Sequence, residues 1–159
     1  MEIVNRWRND PALISQLGAN FRYINPEVDR RWFENYMNNR SRAVRCAICT
    51  EESDSVLGMV SLLDIDNLNQ SGVFHIMIGP EGQGRGAGSF ALREMLKHAF
   101  YNLNLQRVEL EVLEENARAR HVYEKAGFVL EGRKRRAVYK EGRFLDVMMY
   151  SILKEEFKE

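Results

Sequence analysis

The chain has 159 residues, 45% of them apolar, which is one domain's length with enough hydrocarbon for a sizeable core and little room for a second domain. Its 23 Lys and Arg balance its 23 Asp and Glu, so no net field gathers nucleic acid or an anionic membrane, and neither is expected as a partner. The apolar runs fall far short of the roughly 20 residues a membrane helix needs, and Met1 to Asp10 is too polar for a signal peptide, so a cytoplasmic location is expected.

No repeat or Pro/Gly/Ser-rich linker interrupts the chain, and a single domain over 1–159 is expected. Residues 1 to about 17 read as a helix that Pro11 breaks or restarts. Asn25 and Pro26 supply a cap and a first helical position, and Val28, Trp32 and Tyr36 recur at helical spacing through Asn39. The period then falls to two. Ala43 to Thr50 and Val56 to Asp66 predict strands joined by a polar turn, and Val73 to Ile78, apolar on both faces except at His75, predicts a central strand covered on both sides.

A glycine-rich loop leads into a predicted helix from about Gly86 to Asn102, followed by a strand over Gln106 to Leu113. Asn116 caps a further helix to about Ala126, with Gly127 where a left-handed terminator is expected. Phe128 to Tyr139 and Arg143 to Leu153 predict a hairpin around Lys140-Glu141-Gly142. Cys46 and Cys49 form a C-x-x-C on a strand, where positions i and i+3 face opposite ways; two packed, reduced thiols are expected there rather than a metal site. His98 and His121 read as surface or half-buried helix residues, and Arg133 to Arg136 as a solvated strand face.

The chemistry concentrates in Gln83-Gly84-Arg85-Gly86-Ala87-Gly88-Ser89. A glycine run between a buried strand and a helix N-terminus gathers backbone N–H groups around one point, which is an anion site; Gln83 and Arg85 can add side-chain donors. A Walker A loop is rejected, because Arg85-Gly86 stands where Lys and Ser or Thr are required. A dinucleotide fingerprint can be threaded through Gly82, Gly84 and Ala87, but a doubly wound sheet would then have to stop less than half built.

Gln83-x-x-Gly86-x-Gly88 resembles the pyrophosphate loop of the GCN5-related N-acetyltransferase (GNAT) superfamily. The run Asn116-x-x-Ala119-x-x-x-Tyr123-x-x-x-Gly127-Phe128 is similar to that family's second conserved segment, and the resemblance covers roughly Val56 to Leu153. It implies an α/β fold with a mixed sheet, a central parallel pair splayed at its C-terminal ends, helices on both faces, and a bulged strand before the loop. It also implies acetyl-CoA as cosubstrate, no metal, Ile76, Met77 and Ile78 along pantetheine, and Gln83 to Ser89 around the diphosphate. Asn116 would be both helix cap and cofactor contact, and a homodimer is a further expectation.

Acyl transfer from a thioester needs a neutral amine and an acid that protonates the leaving thiolate. Tyr123 is the candidate acid. Relatives often carry a Glu where this chain has Val73, so that role does not transfer; His75, two positions on along the same face, is the candidate base, with Asp64 and Asp66 as alternatives. Trp7-Arg8-Asn9-Asp10-Pro11, Gly132 and the Tyr139 to Asp146 hairpin resemble the branch of polyamine, ribosomal-protein N-terminal and nucleotide-amino-sugar acetyltransferases, which implies a primary-amine acceptor. That branch usually has a strand before its Trp-Arg-Asn segment, whereas six residues precede Trp7, so the first strand is either missing or the recorded start is late. A non-catalytic acyl-CoA-binding regulatory module of the same fold is the second reading.

Overall fold

The computed structural model describes residues 2–158. Helix α1 (Glu2–Arg8) is followed directly by α2 (Pro11–Ser15), which Pro11 starts and Asp10 caps by accepting hydrogen bonds from the backbone N–H of Ala12 and Leu13. Among the described residues no strand precedes α1. Helix α3 (Pro26–Asn38) begins as predicted, with the Asn25 side chain accepting from the N–H of Val28 at 2.9 Å.

Six strands form one sheet: β1 (Val44–Cys49), β2 (Val56–Asp66), β3 (Ser71–Ile78), β4 (Arg107–Leu113), β5 (Val129–Lys140) and β6 (Arg143–Leu153), in the order β1-β2-β3-β4-β6-β5. Only β3 and β4 run parallel, because α4 (Ala87–Lys97) and a wider π turn over His98–Asn102 carry the chain back between them. Helix α5 (Ala117–Lys125) links β4 to the closing hairpin. In that hairpin Glu141 and Gly142 have φ of 49° and 83°, the paired positive values that a two-residue type I′ turn demands.

Helices cover both sheet faces. On one, α4, the π turn and α5 press Leu92, Leu96, Phe100 and Tyr123 onto Val60, Leu62, Phe74 and Val108. On the other, Val4, Trp7 and Leu13 of α1 and α2 pack against Val56, Met59 and Met77. Each of these larger side chains contributes about 1.5–3 kcal/mol by leaving water. The segment Trp7-Arg8-Asn9 ties three parts of the chain together: Trp7 lies on Gly79 and donates to Glu81, Arg8 pairs with the buried Asp29, and Asn9 exchanges hydrogen bonds with the backbone of Ile24.

The structure corrects three expectations. The extra residue of the bulge belongs to β2, where Asp64 takes a φ of 49° between the pairs Leu63–Val73 and Asp66–Ser71, while β3 is regular against β2. β3 is not covered on both sides: His75 opens to solvent on one face, and on the α4 face Ile76 and Ile78 are half-buried. Cys46 and Cys49 are free but exposed rather than packed, because β1 is an edge strand. The basic run Arg133 to Arg136 is exposed on β5 as expected, and on that solvated face Arg133 pairs with Asp146 and Glu114 and Lys134 with Glu111.

Candidate active site

The parallel pair holds together only through Ser71–Arg107, Gly72–Val108 and Val73–Glu109. Beyond Val73 the two strands separate: Phe74 to Ile78 pair with β2 alone, and Leu110 to Leu113 with β6 alone. The backbone edge of Ile76, Met77 and Ile78 therefore faces a slot between β3 and β4 with hydrogen-bonding groups that no strand takes up.

The glycine loop stands at the far end of this slot. Gly84 and Gly86 have φ of 76° and 78°, and a Cβ added to either meets no protein atom within 4 Å. Gly86 is the N-cap residue of α4 and offers no side-chain bond, which leaves the first-turn N–H groups of Ala87, Gly88 and Ser89 available to an anion. Gly88 itself is helical, and a Cβ there would lie 3.6 Å from Ile78, so the loop is packed against the end of β3. Gln83 and Arg85 are exposed beside it. Open space at two left-handed glycines, free helix N–H groups and an adjoining unpaired strand edge fit a diphosphate joined to an extended amide-bearing arm.

Tyr123 comes from α5 and packs beside Phe74, the first β3 residue past the point where β3 and β4 part. Its side chain is 9% exposed, meets Phe74 edge-on and lies against Phe128. Burial pushes its phenol up to about 12, which keeps the hydroxyl protonated through the physiological range and suits it to giving a proton rather than taking one. His75 follows Phe74 on β3 and so projects from the opposite face. Tyr123 and His75 thus flank the same strand at the start of the slot without touching one another.

Partial desolvation by its neighbours, and then the charge of Arg45, hold the solvent-facing His75 imidazole below its ordinary 6.5, against the opposing pull of Asp64 and Glu111. It is neutral, and able to accept a proton, at pH 7. Of the two carboxylates named as alternatives, Asp66 accepts from the N–H of Leu68 and of Asn69 and from the Asn69 amide, bonds that build a turn and lower its pKa. Asn116 has both arms of its side chain engaged: the oxygen accepts from the N–H of Ala119 at 3.1 Å, and the amide donates to the carbonyl of Gln16 at 3.0 Å.

Two residues have roles that the sequence did not reveal. Lys140, at the hairpin tip, is buried and donates to the carbonyl of Ile14 at 2.5 Å, tying the hairpin to α2. Arg45 lies across β1 and β2 from His75, on the face of β1 opposite Ile48, and a charged residue in an otherwise apolar strand was the available clue. Two concavities lie elsewhere: one of about 620 Å³ is lined by Arg135, Arg136 and Asp146, and one of about 290 Å³ between β1 and α4 by Ile48, Phe90 and Met95 among others. Neither opens on the slot's named residues. Among the described residues no cluster of His, Cys, Asp and Glu could hold a metal ion, and no helix is long and apolar enough to cross a membrane.

Against known proteins, a family model described as an acetyltransferase (GNAT) domain matches residues 1–129. A spermidine N(1)-acetyltransferase of Vibrio cholerae is 34% identical over 115 residues, which is 72% of this chain and 66% of that protein. A putative ribosomal N-acetyltransferase of Bacillus subtilis is 35% identical over 104 residues, 65% of this chain and 57% of that protein. The chain thus aligns with somewhat less than two thirds of the length of these relatives. The crystal structure of spermidine N-acetyltransferase from Vibrio cholerae in complex with CoA and spermine superposes with a TM-score of 0.90 at 26% identity, covering 98% of this chain and 90% of that one.

Proposed function

Since this chain belongs to the GNAT acetyltransferase family, we propose that it is an acetyl-CoA-dependent N-acetyltransferase that transfers the acetyl group to a primary amine by direct attack on the thioester. The observation that carries this reading is the slot between β3 and β4, which starts beyond Val73 and ends at the glycine loop and the N-terminus of α4. Gln83 to Ser89 would hold the diphosphate, and the unpaired edge of Ile76 to Ile78 the pantetheine arm, which delivers the thioester toward Phe74, His75 and Tyr123. Asn116 would contribute by fixing the start of α5, the helix that carries Tyr123, and by standing beside the cofactor.

In the reaction the amine nitrogen bonds to the thioester carbonyl carbon and the C–S bond breaks. The departing sulfur takes the Tyr123 proton. The acceptor, an ammonium at neutral pH because alkyl amines titrate near about 10.4, loses two protons: one returns to Tyr123 and one leaves through His75 to solvent. The polyamines, peptide N-termini and amino-sugar nucleotides of the related branch are the acceptor classes to screen; spermidine and ribosomal acetyltransferases among the relatives support that set.

Release of free thiol from acetyl-CoA, followed with each amine class in turn, is the test. Acetylated amine appearing in proportion to thiol supports the reading. Tight acetyl-CoA binding with no amine consumed points instead to a non-catalytic acyl-CoA-binding module.

A further inference from the structure

Strand register puts three side chains in line across the sheet face opposite α4: Arg45 on β1 stands opposite Ser61 on β2, which stands opposite His75 on β3. With strands about 4.8 Å apart, the outer two Cα atoms are separated by about 10 Å, within the joint reach of their side chains. Arg45 does not lie out in solvent. Its guanidinium carbon is 4.9 Å from the ring centre of Trp32 and 5.4 Å from that of Tyr36, both on α3, and its backbone N–H donates to the Tyr36 hydroxyl at 3.0 Å.

The Arg45 side chain also forms no ion pair among the described residues, and its Nε is the enclosed side-chain polar atom among them that has no hydrogen-bond partner. A buried guanidinium donor left unmatched costs about as much as a lost charge-assisted hydrogen bond, and with Nε enclosed it is the two terminal nitrogens, which make no hydrogen bond among the described residues, that an acceptor would meet. Burial weakens its hold on the proton without removing the charge, because an arginine stays protonated at any physiological pH.

The carboxylates across the slot point the same way. Glu109 is engaged by Arg107, Glu111 by Lys134, Glu114 by Arg133 and Glu115 by Arg143, while Asp64 forms no ion pair among the described residues but lies within electrostatic reach of Arg45 and His75. A polycation entering here meets acids that already face arginine or lysine.

We infer that Arg45 is the specificity-determining residue of the acceptor half, and that the amine acetylated here carries an anionic group, a carboxylate or a phosphate, which Arg45 receives while the amino group lies beside His75. This inference rests on the acetyltransferase reading and deepens it. The stacked rings of Trp32 and Tyr36 hold the guanidinium plane in one orientation, so an incoming anion meets a preorganised pair of donors. Bare polyamines are poor acceptors on this account, although relatives of the chain bear that substrate in their names.

The experiment compares kcat/KM on the parent protein for matched acceptors: an amino acid and a short peptide against their carboxamides, an amino-sugar phosphate against the free amino sugar, and spermidine. The anionic member of each pair should be favoured by about 10- to 100-fold, the range of one hydrogen bond to a charged group. The first pair reports a carboxylate and the second a phosphate. In Arg45→Gln the anionic-to-neutral ratio should collapse toward one, mainly through KM, with Arg45→Lys in between; a purely structural arginine would lower both members alike and leave the ratio intact. The comparison on the parent decides the matter even where the variant does not fold. Preference for spermidine or for the neutral partners overturns the inference while leaving the acetyltransferase reading in place. Acetyl-CoA binding with no amine acetylated overturns both.

Discussion

Trp7 lies flat on Gly79: its indole, 1% exposed, occupies the space where any side chain at that glycine would begin. The contact seats α1 on the end of β3 just before the glycine loop, and the indole N–H and Arg6 both bond Glu81 within that approach. Gly79→Ala should therefore displace α1 rather than compress the rigid ring. Overpacking of this kind costs about 1–3 kcal/mol, a drop in Tm of about 2–10 °C for a domain of this size. Scanning calorimetry checks the drop, and calorimetric titration should show weaker acetyl-CoA binding alongside it. An unchanged Tm would mean that α1 is not anchored there.

Gly86→Val separates the loop's cofactor role from its structural one. The φ of 78° penalises a branched residue by about 1–2 kcal/mol, yet the added atoms meet no protein atom within 4 Å. A modest loss of Tm, about 2–8 °C, should accompany a loss of acetyl-CoA affinity of more than about tenfold, because the side chain enters the space offered to the diphosphate. Equal affinity in the folded variant would remove the loop from the site. Gly88 is a weaker test, since its backbone is helical and its neighbour is Ile78.

The depressed His75 pKa fixes the sign of a pH effect. If His75 takes the acceptor's proton, it does so as the neutral imidazole, which persists below the ordinary 6.5 before charging. The rate at saturating substrates should hold as pH falls from neutrality and decline only through an apparent pKa below 6.5. His75→Ala should lose about 10²-fold in kcat and lose that limb with it. A limb that survives the substitution belongs to another group.

Asn116 joins two helices through one side chain, capping α5 through its oxygen and holding the carbonyl of Gln16 through its amide. Asn116→Ala should cost about 0.5–2 kcal/mol for the cap. Asn116→Asp keeps the cap's acceptor and removes the amide donor, so hydrogen exchange should rise at residues 14–17 more than at the start of α5. Equal protection in α2 for parent and Asp variant would show the Gln16 bond to be idle.

The local elements were legible because local chemistry sets them. Asn25 with Pro26, Asn116 with Gly127, and Glu141 with Gly142 each begin or end an element through bonds made within a few residues, and all three act as the sequence predicts. The splay was legible only by resemblance, since nothing within Ser71 to Ile78 says where its partner strand departs. The bulge at Asp64 was misplaced because one extra residue can be accommodated on either member of a pair without altering the apolar pattern of the other. Exposure of Cys46 and Cys49 follows from β1 being the last strand of the sheet, a fact of topology rather than of the alternation in Val44–Cys49. Arg45 went unnoticed for the same reason: its two aromatic neighbours come from α3, and its line to His75 crosses β2.

The central claim is that the slot performs acetyl transfer with Tyr123 as the acid, and turnover of Tyr123→Phe tests it most directly. The substitution keeps the ring and its edge-on contact with Phe74, at 6.3 Å between centroids, so folding and acetyl-CoA binding should change little. The lost hydroxyl, held protonated by burial, should lower kcat by roughly 10²- to 10⁴-fold with the true acceptor at saturating acetyl-CoA, the range of a positioned proton transfer. A kcat within about threefold of the parent, measured where the chemical step limits the rate, would contradict the account and leave Tyr123 a packing residue of α5.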